Sequence, residues 1–162
     1  MSKAIQLQRG MQCIVSDEDF ERVAAFHWHM SDRGYVCRFE GGSRSGLRRK
    51  IYLHRQIMDA PVGVDVDHVN GDRLDNRREN LRLASRSENL RNRSSAPGSR
   101  SRFKGVHRCP GTGRWAAKLS IKGRVIWLGR HDTEEAAARA YNAAAIKHHG
   151  AFARLNDLPT EE

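Results

Sequence analysis

Apolar residues along the chain come in short runs separated by turn formers, and their spacing changes from period two to helical and back. GMQCIV (Gly10–Val15) and GYVCRF (Gly34–Phe39) read as short strands. Between them, Phe20, Val23 and Ala24 fall at helical spacing. Ser16 with Asp19 three positions on is a capping-box pattern, so a helix is expected over Asp17–Phe26. GGSRSGLRRK (Gly41–Lys50) is a Gly-rich basic turn, and KIYLHRQIM reads as a strand passing into a helical turn. Val64 and Val66 lead a strand into Asp67-His68. The turn-rich NGDRLDNRREN follows, and Leu81 and Leu83 return as a second strand. Ser85 with Glu88 is again a capping box, predicting a helix with Asn89 in its first turn.

Beyond this, RNRSSAPGSRSR (Arg91–Arg102) has no apolar period and reads as a linker or as an arm lying along a polyanion. Phe103–Leu158 then predicts three strands and a helix, with turns at Pro110–Gly113 and Lys122-Gly123. Asp132 or Thr133 should cap that helix and Gly150 should end it. Its inner face is small, formed by Ala137, Ala140, Tyr141 and Ala144.

With 162 residues and only 38% apolar content, two small cores are expected rather than one large one. The expected division is a first domain over 1–93, a basic linker over 94–102 and a second domain over 103–158. The net charge of +10 is concentrated in Arg91–Arg102, which carries +4 and no acid. Such a chain favours a polyanion, because neutralising phosphates releases condensed counterions. Three scattered cysteines (Cys13, Cys37, Cys109) without a Cys-x-x-Cys argue against a disulfide framework or a structural zinc site. MSKAIQLQRG lacks a signal-peptide core and no run approaches a membrane span, so a cytoplasmic setting is expected. His27 and His29 flank Trp28 and read as packing residues.

The candidate chemistry lies at Asp67-His68. A neutral imidazole can take a proton from water near neutral pH, which makes His68 the candidate general base. Asp67, next to it on a strand, points the opposite way and can offer hard oxygens to a cation. Asn89 can add an amide oxygen. Asp67-His68, Asn80 and Asn89, within the stretch Leu53–Arg93, resemble HNH endonucleases of the phage or homing type. The resemblance implies a ββα-metal arrangement, a structural-catalytic role for Asn80 in orienting the base, and one divalent cation per site held by Asp67 and Asn89. Mg²⁺ or Mn²⁺ suits such oxygen donors. Asn76, in the same loop, is the competing position for Asn80. His54 and Arg55, in the Leu-His-Arg element, are candidates for phosphate contact or for support of the site.

Lys104-Gly105-Val106, Trp115-Ala116-Ala117, Trp127-Leu128-Gly129, the Ala-Ala-Arg-Ala-Tyr helix and Leu155-Asn156 resemble an AP2/ERF DNA-binding domain. That family lays a three-stranded sheet in the major groove. By position the resemblance gives a DNA face of Lys104, His107, Arg108, Arg114, Lys118, Arg124 and Trp127; Arg91, Arg93, Arg100 and Arg102 of the arm extend it. Trp115 is expected to pack beneath the helix. The fold class expected is α+β: a ββα-metal HNH domain followed by a three-stranded sheet on one helix. The function expected is a metal-dependent endonuclease acting on double-stranded DNA, without a membrane or an obligatory protein partner. A DNA-binding regulator with a retired nuclease fold is the alternative; an RNA-binding accessory role rests on charge alone.

Overall fold

The structure is a computed structural model that describes residues 1–41, 48–93 and 100–159. Most of the Gly-rich basic turn (42–47) and of the expected linker (94–99) lies outside the described residues. The chain forms two compact units, Met1–Arg86 and Ser87–Glu162. Among the described residues no helix is long and apolar enough to cross a membrane.

The first unit is a set of small sheets on a shared core. Strands β1 (Ser2–Gln6) and β2 (Gln12–Ser16) form an antiparallel hairpin, and β7 (Asp75–Asn76) joins β2 in parallel. β3 (His29–Met30), β4 (Val36–Glu40) and β5 (Arg49–Tyr52) form an antiparallel sheet. β6 (Asp65–His68) pairs with β8 (Leu81–Ala84), so that Asp67 faces Arg82 and His68 faces Leu81. Helices α1 (Asp17–Ala24) and α2 (Leu53–Ile57) pack on these strands. Alternate residues of β1 and β2 (Ile5, Cys13, Val15) meet Val23, Trp28, Val36, Leu53, Ile57, Val66 and Leu81 in one buried cluster.

The capping box expected at Ser16 does not form. Ser16 occupies the N-cap of α1 without a side-chain cap bond, and its hydroxyl instead accepts from the Arg78 backbone N–H at 3.0 Å. Asp19 turns inward, 1% exposed, and receives Arg78 at 2.8 Å through Nε and Nη2 and Arg22 at 3.1 Å. Arg22 also donates to the carbonyls of Gln56 (3.0 Å) and Ile57 (2.8 Å), satisfying the open end of α2. A buried carboxyl with two guanidinium partners thus ties α1 to α2 and to the 3₁₀ turn Arg78–Asn80.

The second unit opens with α3 (Arg86–Arg91), whose first residue closes the first unit. The sheet order is β11-β10-β9, from β9 (Val106–Arg108), β10 (Trp115–Ile121) and β11 (Arg124–His131). Lys122 (φ 48°) and Gly123 (φ 78°) make the two-residue β10–β11 turn, both in the left-handed region as a twist-matched hairpin requires. Helix α4 (Glu134–His149) is capped by Thr133, whose hydroxyl accepts from Ala136 N–H at 3.1 Å. Its fully buried face is Ala137, Ala138, Tyr141 and Ala145, with Ala140 and Ala144 at its margin, a small rotation from the expected set. Trp115 packs against the Phe103–Val106–Ala117 cluster.

Small residues let α4 approach closely, and Gly105 is the tightest point. A Cβ there would lie 2.2 Å from the Tyr141 ring and 2.6 Å from the Lys118 carbonyl, at a φ of +75°. After it, the Asn156 amide clamps the Lys104 backbone, accepting from its N–H at 2.6 Å and donating to its carbonyl at 3.1 Å; Asn142 holds Asn156 in turn. Gly105→Ala should therefore cost about 3 kcal/mol through overpacking and backbone strain. Gly111→Ala, at the same φ with open space around it, should cost about 1 kcal/mol. Chemical denaturation of the two variants measures the difference.

Candidate functional site

His68 ends β6, 5% exposed, and the connection that follows is braced by its own amides. Asn80 accepts from the Asn70 backbone N–H at 2.9 Å and donates to the Asp75 carbonyl at 2.7 Å. Asn70 donates to the Asp75 carboxylate at 3.0 Å, and Arg77 grips the same carboxylate at 2.8 and 2.7 Å. The Arg77 bonds hold the Asp75 carboxyl below its usual range. Asn76 donates through Nδ2 to the Arg73 carbonyl at 3.1 Å, which turns its Oδ1 toward His68 Nε2 at 3.4 Å. Asn80 spans the loop, while the amide on the His68 ring is that of Asn76.

Burial pushes the His68 imidazole below its ordinary value of 6.5, opposed by the Asn76 bond and by Asp67. The base candidate is held in its neutral form at neutral pH. A second imidazole sits on it: the His54 ring, from α2, meets that of His68 edge-to-face at 5.2 Å. Tyr35 and Tyr52 lie 5.2 and 5.6 Å from His54. His54 is 6% exposed, its Nδ1 has no partner, and burial, with His68 and Arg55 adding, lowers its pKa to about 3. His54 is therefore an uncharged wall beside His68 and not a phosphate ligand. Arg55 is not a phosphate clamp either, because its guanidinium is committed to the carbonyls of Ala60 (3.1 Å), Pro61 (2.8 Å) and Val64 (2.5 Å).

Asp67 points away from His68, as strand alternation requires, and is 5% exposed. Arg82 donates to its Oδ2 from Nε at 2.8 Å and Nη2 at 2.6 Å. Sequence reasoning missed Arg82; the antiparallel register that sets it opposite Asp67 is the signal that finds it. The donors at this position are carboxylate oxygens, hard enough for a divalent cation, and a cation would share Asp67 with Arg82 or displace it. Among the described residues no three His, Cys, Asp or Glu side chains come together as a metal cluster. Asn89 lies on α3, in the second unit.

The second unit carries a different surface. On the sheet face away from α4, Trp127 is 50% exposed. Lys118 and Arg130 sit 5.5 and 5.9 Å from its ring, and His107 meets it edge-to-face at 6.3 Å. Lys118 is the cross-strand partner of Trp127, and Val125, 66% exposed, shares that face by alternation.

Known families match along the chain in two separate segments. The HNH endonuclease family matches residues 59–91, and the AP2 domain matches residues 101–151. An HNH segment is here fused to an AP2 domain. An uncharacterized HNH endonuclease of Acanthamoeba polyphaga mimivirus is 29% identical over 150 residues, covering 93% of this chain and 77% of the viral protein. A putative AP2/ERF and B3 domain-containing protein of rice (Oryza sativa subsp. japonica) is 45% identical over 62 residues, 38% of this chain and 19% of the plant protein. An AP2-like ethylene-responsive transcription factor of Arabidopsis thaliana is 38% identical over 123 residues, 69% of this chain and 37% of its own length. The chain thus spans most of the viral relative but well under half of each plant protein.

HNH and AP2 segments together imply a nuclease-type protein that binds DNA. Within the AP2 segment the expected DNA residues divide. His107, Lys118 and Trp127 share the exposed face, and burial followed by Lys118 lowers the His107 pKa. Arg108 and Arg124 are exposed at strand ends. Arg114 is paired with Asp132 at 2.9 Å and Arg102 with Glu135 at 2.9 Å, both on solvent-facing arms. Lys104 departs from its expected place on the DNA face. Its ammonium turns to the Arg91 carbonyl, and burial with Arg154 lowers its pKa to about 8. Arg93 and Arg100 are exposed. Arg130 was missed because strict alternation from Val125 and Trp127 leads to Gly129 and His131; the register shift between Ala116 and Lys118 is what brings Arg130 to the Trp127 ring.

The buried imidazoles set a pH dependence. Unfolded, His54 takes a proton near 6.5; folded, it does so only near 3. Between those values the unfolded chain binds more protons, so stability is complete above 6.5 and falls as pH drops toward 3. Acidification from neutral pH to about pH 5 should lower the Tm of the first unit, and His54→Phe should flatten that dependence. Thermal melts of both proteins across this range test it.

Proposed function

We propose that this protein is a metal-dependent HNH endonuclease that hydrolyses phosphodiester bonds of duplex DNA and grips its substrate with the AP2 sheet. The observation that carries the reading is the neutral, braced His68 at the end of β6, with a carboxylate on its neighbour. Asn76 presents an oxygen to Nε2, which selects the tautomer protonated there and leaves the Nδ1 lone pair to receive a proton from the attacking water. Asn80 contributes by closing the loop that aims Asn76. Asp67 would hold the cation, Mg²⁺ or Mn²⁺ by its oxygen chemistry, and that cation would supply charge stabilisation at the phosphate and leaving oxygen; the part of Asn89 is what the family resemblance implies. Arg82 keeps Asp67 oriented.

The proposed division of labour runs from a nuclease domain over 1–93, through the basic arm, to the DNA-binding domain over 103–158. A site that touches few phosphates gains effective concentration from a tethered module. A homing-type role in a phage or mobile element, acting in host cytoplasm, is part of the same proposal. One observation favours a regulator with a retired nuclease fold: the guanidinium of Arg82 already neutralises Asp67.

Supercoiled plasmid separates the two. The nuclease reading expects nicking with Mg²⁺ and none in EDTA. His68→Ala should slow nicking by about 10²-fold or more while duplex binding persists. Undiminished cutting by that variant would remove His68 as base, and wild-type binding without cutting would favour the regulator.

A further inference from the structure

The β3–β4–β5 sheet lies outside both family segments, and one of its faces leads to His68. His29, Cys37 and Tyr52 are cross-strand neighbours, and Phe39, two residues on from Cys37, pairs with Lys50. Residues at this spacing share one face of a sheet. Starting from His68, the rings follow in contact: His54 at 5.2 Å, then Tyr52 at 5.6 Å from His54 and Tyr35 at 6.0 Å from Tyr52. Beyond Tyr52 come Cys37 and His29, whose Sγ and Nε2 are 3.3 Å apart, and His29 stacks on Phe39 at 5.3 Å.

Cations accompany this line throughout. The Arg73 guanidinium lies 4.5 Å from the Tyr35 ring centre; Arg48 and Lys50 lie 5.2 and 5.4 Å from that of Phe39. Phe39 is 43% exposed, and Arg48 and Lys50 are exposed and form no ion pair among the described residues. A purely structural aromatic cluster would bury its outer ring and pair its charges. A protein partner would have to be strongly acidic to satisfy three cations in a row. Exposed Arg48 and Lys50 beside Phe39, with Arg73 on Tyr35 giving one donor to the Arg33 carbonyl at 2.6 Å and keeping the rest, match a nucleic-acid strand, whose bases stack and whose phosphates need neutralising.

We infer that this face seats the DNA strand running into the His68 site, with His29, Phe39 and Tyr52 supporting bases or sugars and Arg48, Lys50 and Arg73 meeting phosphates. The inference deepens the nuclease reading and rests on it, because His68 gives the track its direction. It adds a grip on DNA next to the cut, separate from the AP2 sheet.

The test uses the full chain with sheared duplex DNA in EDTA, reading lysine acetylation by mass spectrometry. Lys50 should be protected severalfold by DNA, as Lys118 should be, while Lys147 on the exposed side of α4 keeps its reactivity. Phe39→Ala, at an exposed position, should raise KM for plasmid nicking by about tenfold with kcat unchanged. A Lys50 equally reactive with and without DNA, or an unchanged KM in Phe39→Ala, would overturn the inference. Equal protection by polyglutamate would overturn it in favour of an acidic protein. Nicking with Lys50 unprotected leaves the nuclease reading standing and removes the track. Protection of Lys50 in a protein that never nicks keeps the DNA-binding face and removes the nuclease reading.

Discussion

The two hydrogen bonds of the Asn80 side chain hold the His68 end of the first unit together. β6 and β8 pair over only four residues each, and the connection between them is long and polar. Closing such a loop costs chain entropy, and Leu74 is its one residue packed on the core among the described residues. Asn80 closes it by joining the Asn70 N–H to the Asp75 carbonyl, and Asp75 gathers Asn70 and Arg77. Once closed, the loop sends Asp75 and Asn76 to pair with β2, and this fixes the Asn76 amide on His68. The geometry around His68 is thus set at one remove, by a residue whose side-chain bonds are all to the loop frame.

A second constraint acts from the N-terminal elements. Asp19 draws Arg78 and Arg22 together, so the 3₁₀ turn ahead of β8 and the end of α2 are both referred to α1. α2 carries His54, and the segment before β4 carries Tyr35; these two rings wall the His68 imidazole. The wall has a cost, since leaving a buried nitrogen such as His54 Nδ1 without a partner costs on the order of 1–3 kcal/mol. What it supplies is an environment that disfavours the imidazolium, and a base must start without its proton. The N-terminal strands and helices therefore belong to the site even though the HNH family match begins only at residue 59.

The strands and helices of both units were legible wherever hydrophobic period and turn chemistry agreed. The Lys122-Gly123 hairpin, the Thr133 cap and the strands around Cys13 and Cys37 are all local signals. What escaped the sequence was set by partners distant along the chain. Ser16 and Asp19 have the spacing of a capping box, yet Arg78 takes both, because a buried carboxyl gains more from a guanidinium than from a backbone amide it could reach alone. β1 was not expected, since only Ile5 of its five residues is buried and no alternation marks it; nor was β7, since a two-residue strand in a turn-rich loop has no period to read. Asn76 and Asn80 were indistinguishable by type, and only the direction of their amides separates a contact on the base from a brace on the loop. Arg55 and Lys104 were basic residues in plausible places whose donors went to backbone carbonyls.

Charge and chemistry occupy different parts of this chain, and that separation has a physical rationale. Burial around His68 disfavours charge, against the pull of Asn76 and Asp67, as the proposed role of base requires. A surface that grips phosphates needs the reverse, exposed cations in water beside π faces, such as Lys118 and Arg130 around Trp127. Placing those cations against His68 would lower its proton affinity further and weaken it as a base. Setting most of the grip on sheets outside the β6–β8 hairpin limits that conflict to Arg73, the cation in the connection that does lower the His68 pKa. Arg82 is spent on Asp67 across the strand. The same logic limits what the hairpin can recognise: with its polar groups committed to its own loop, it has little left with which to read bases. Any choice of sequence would then fall to the exposed sheet faces.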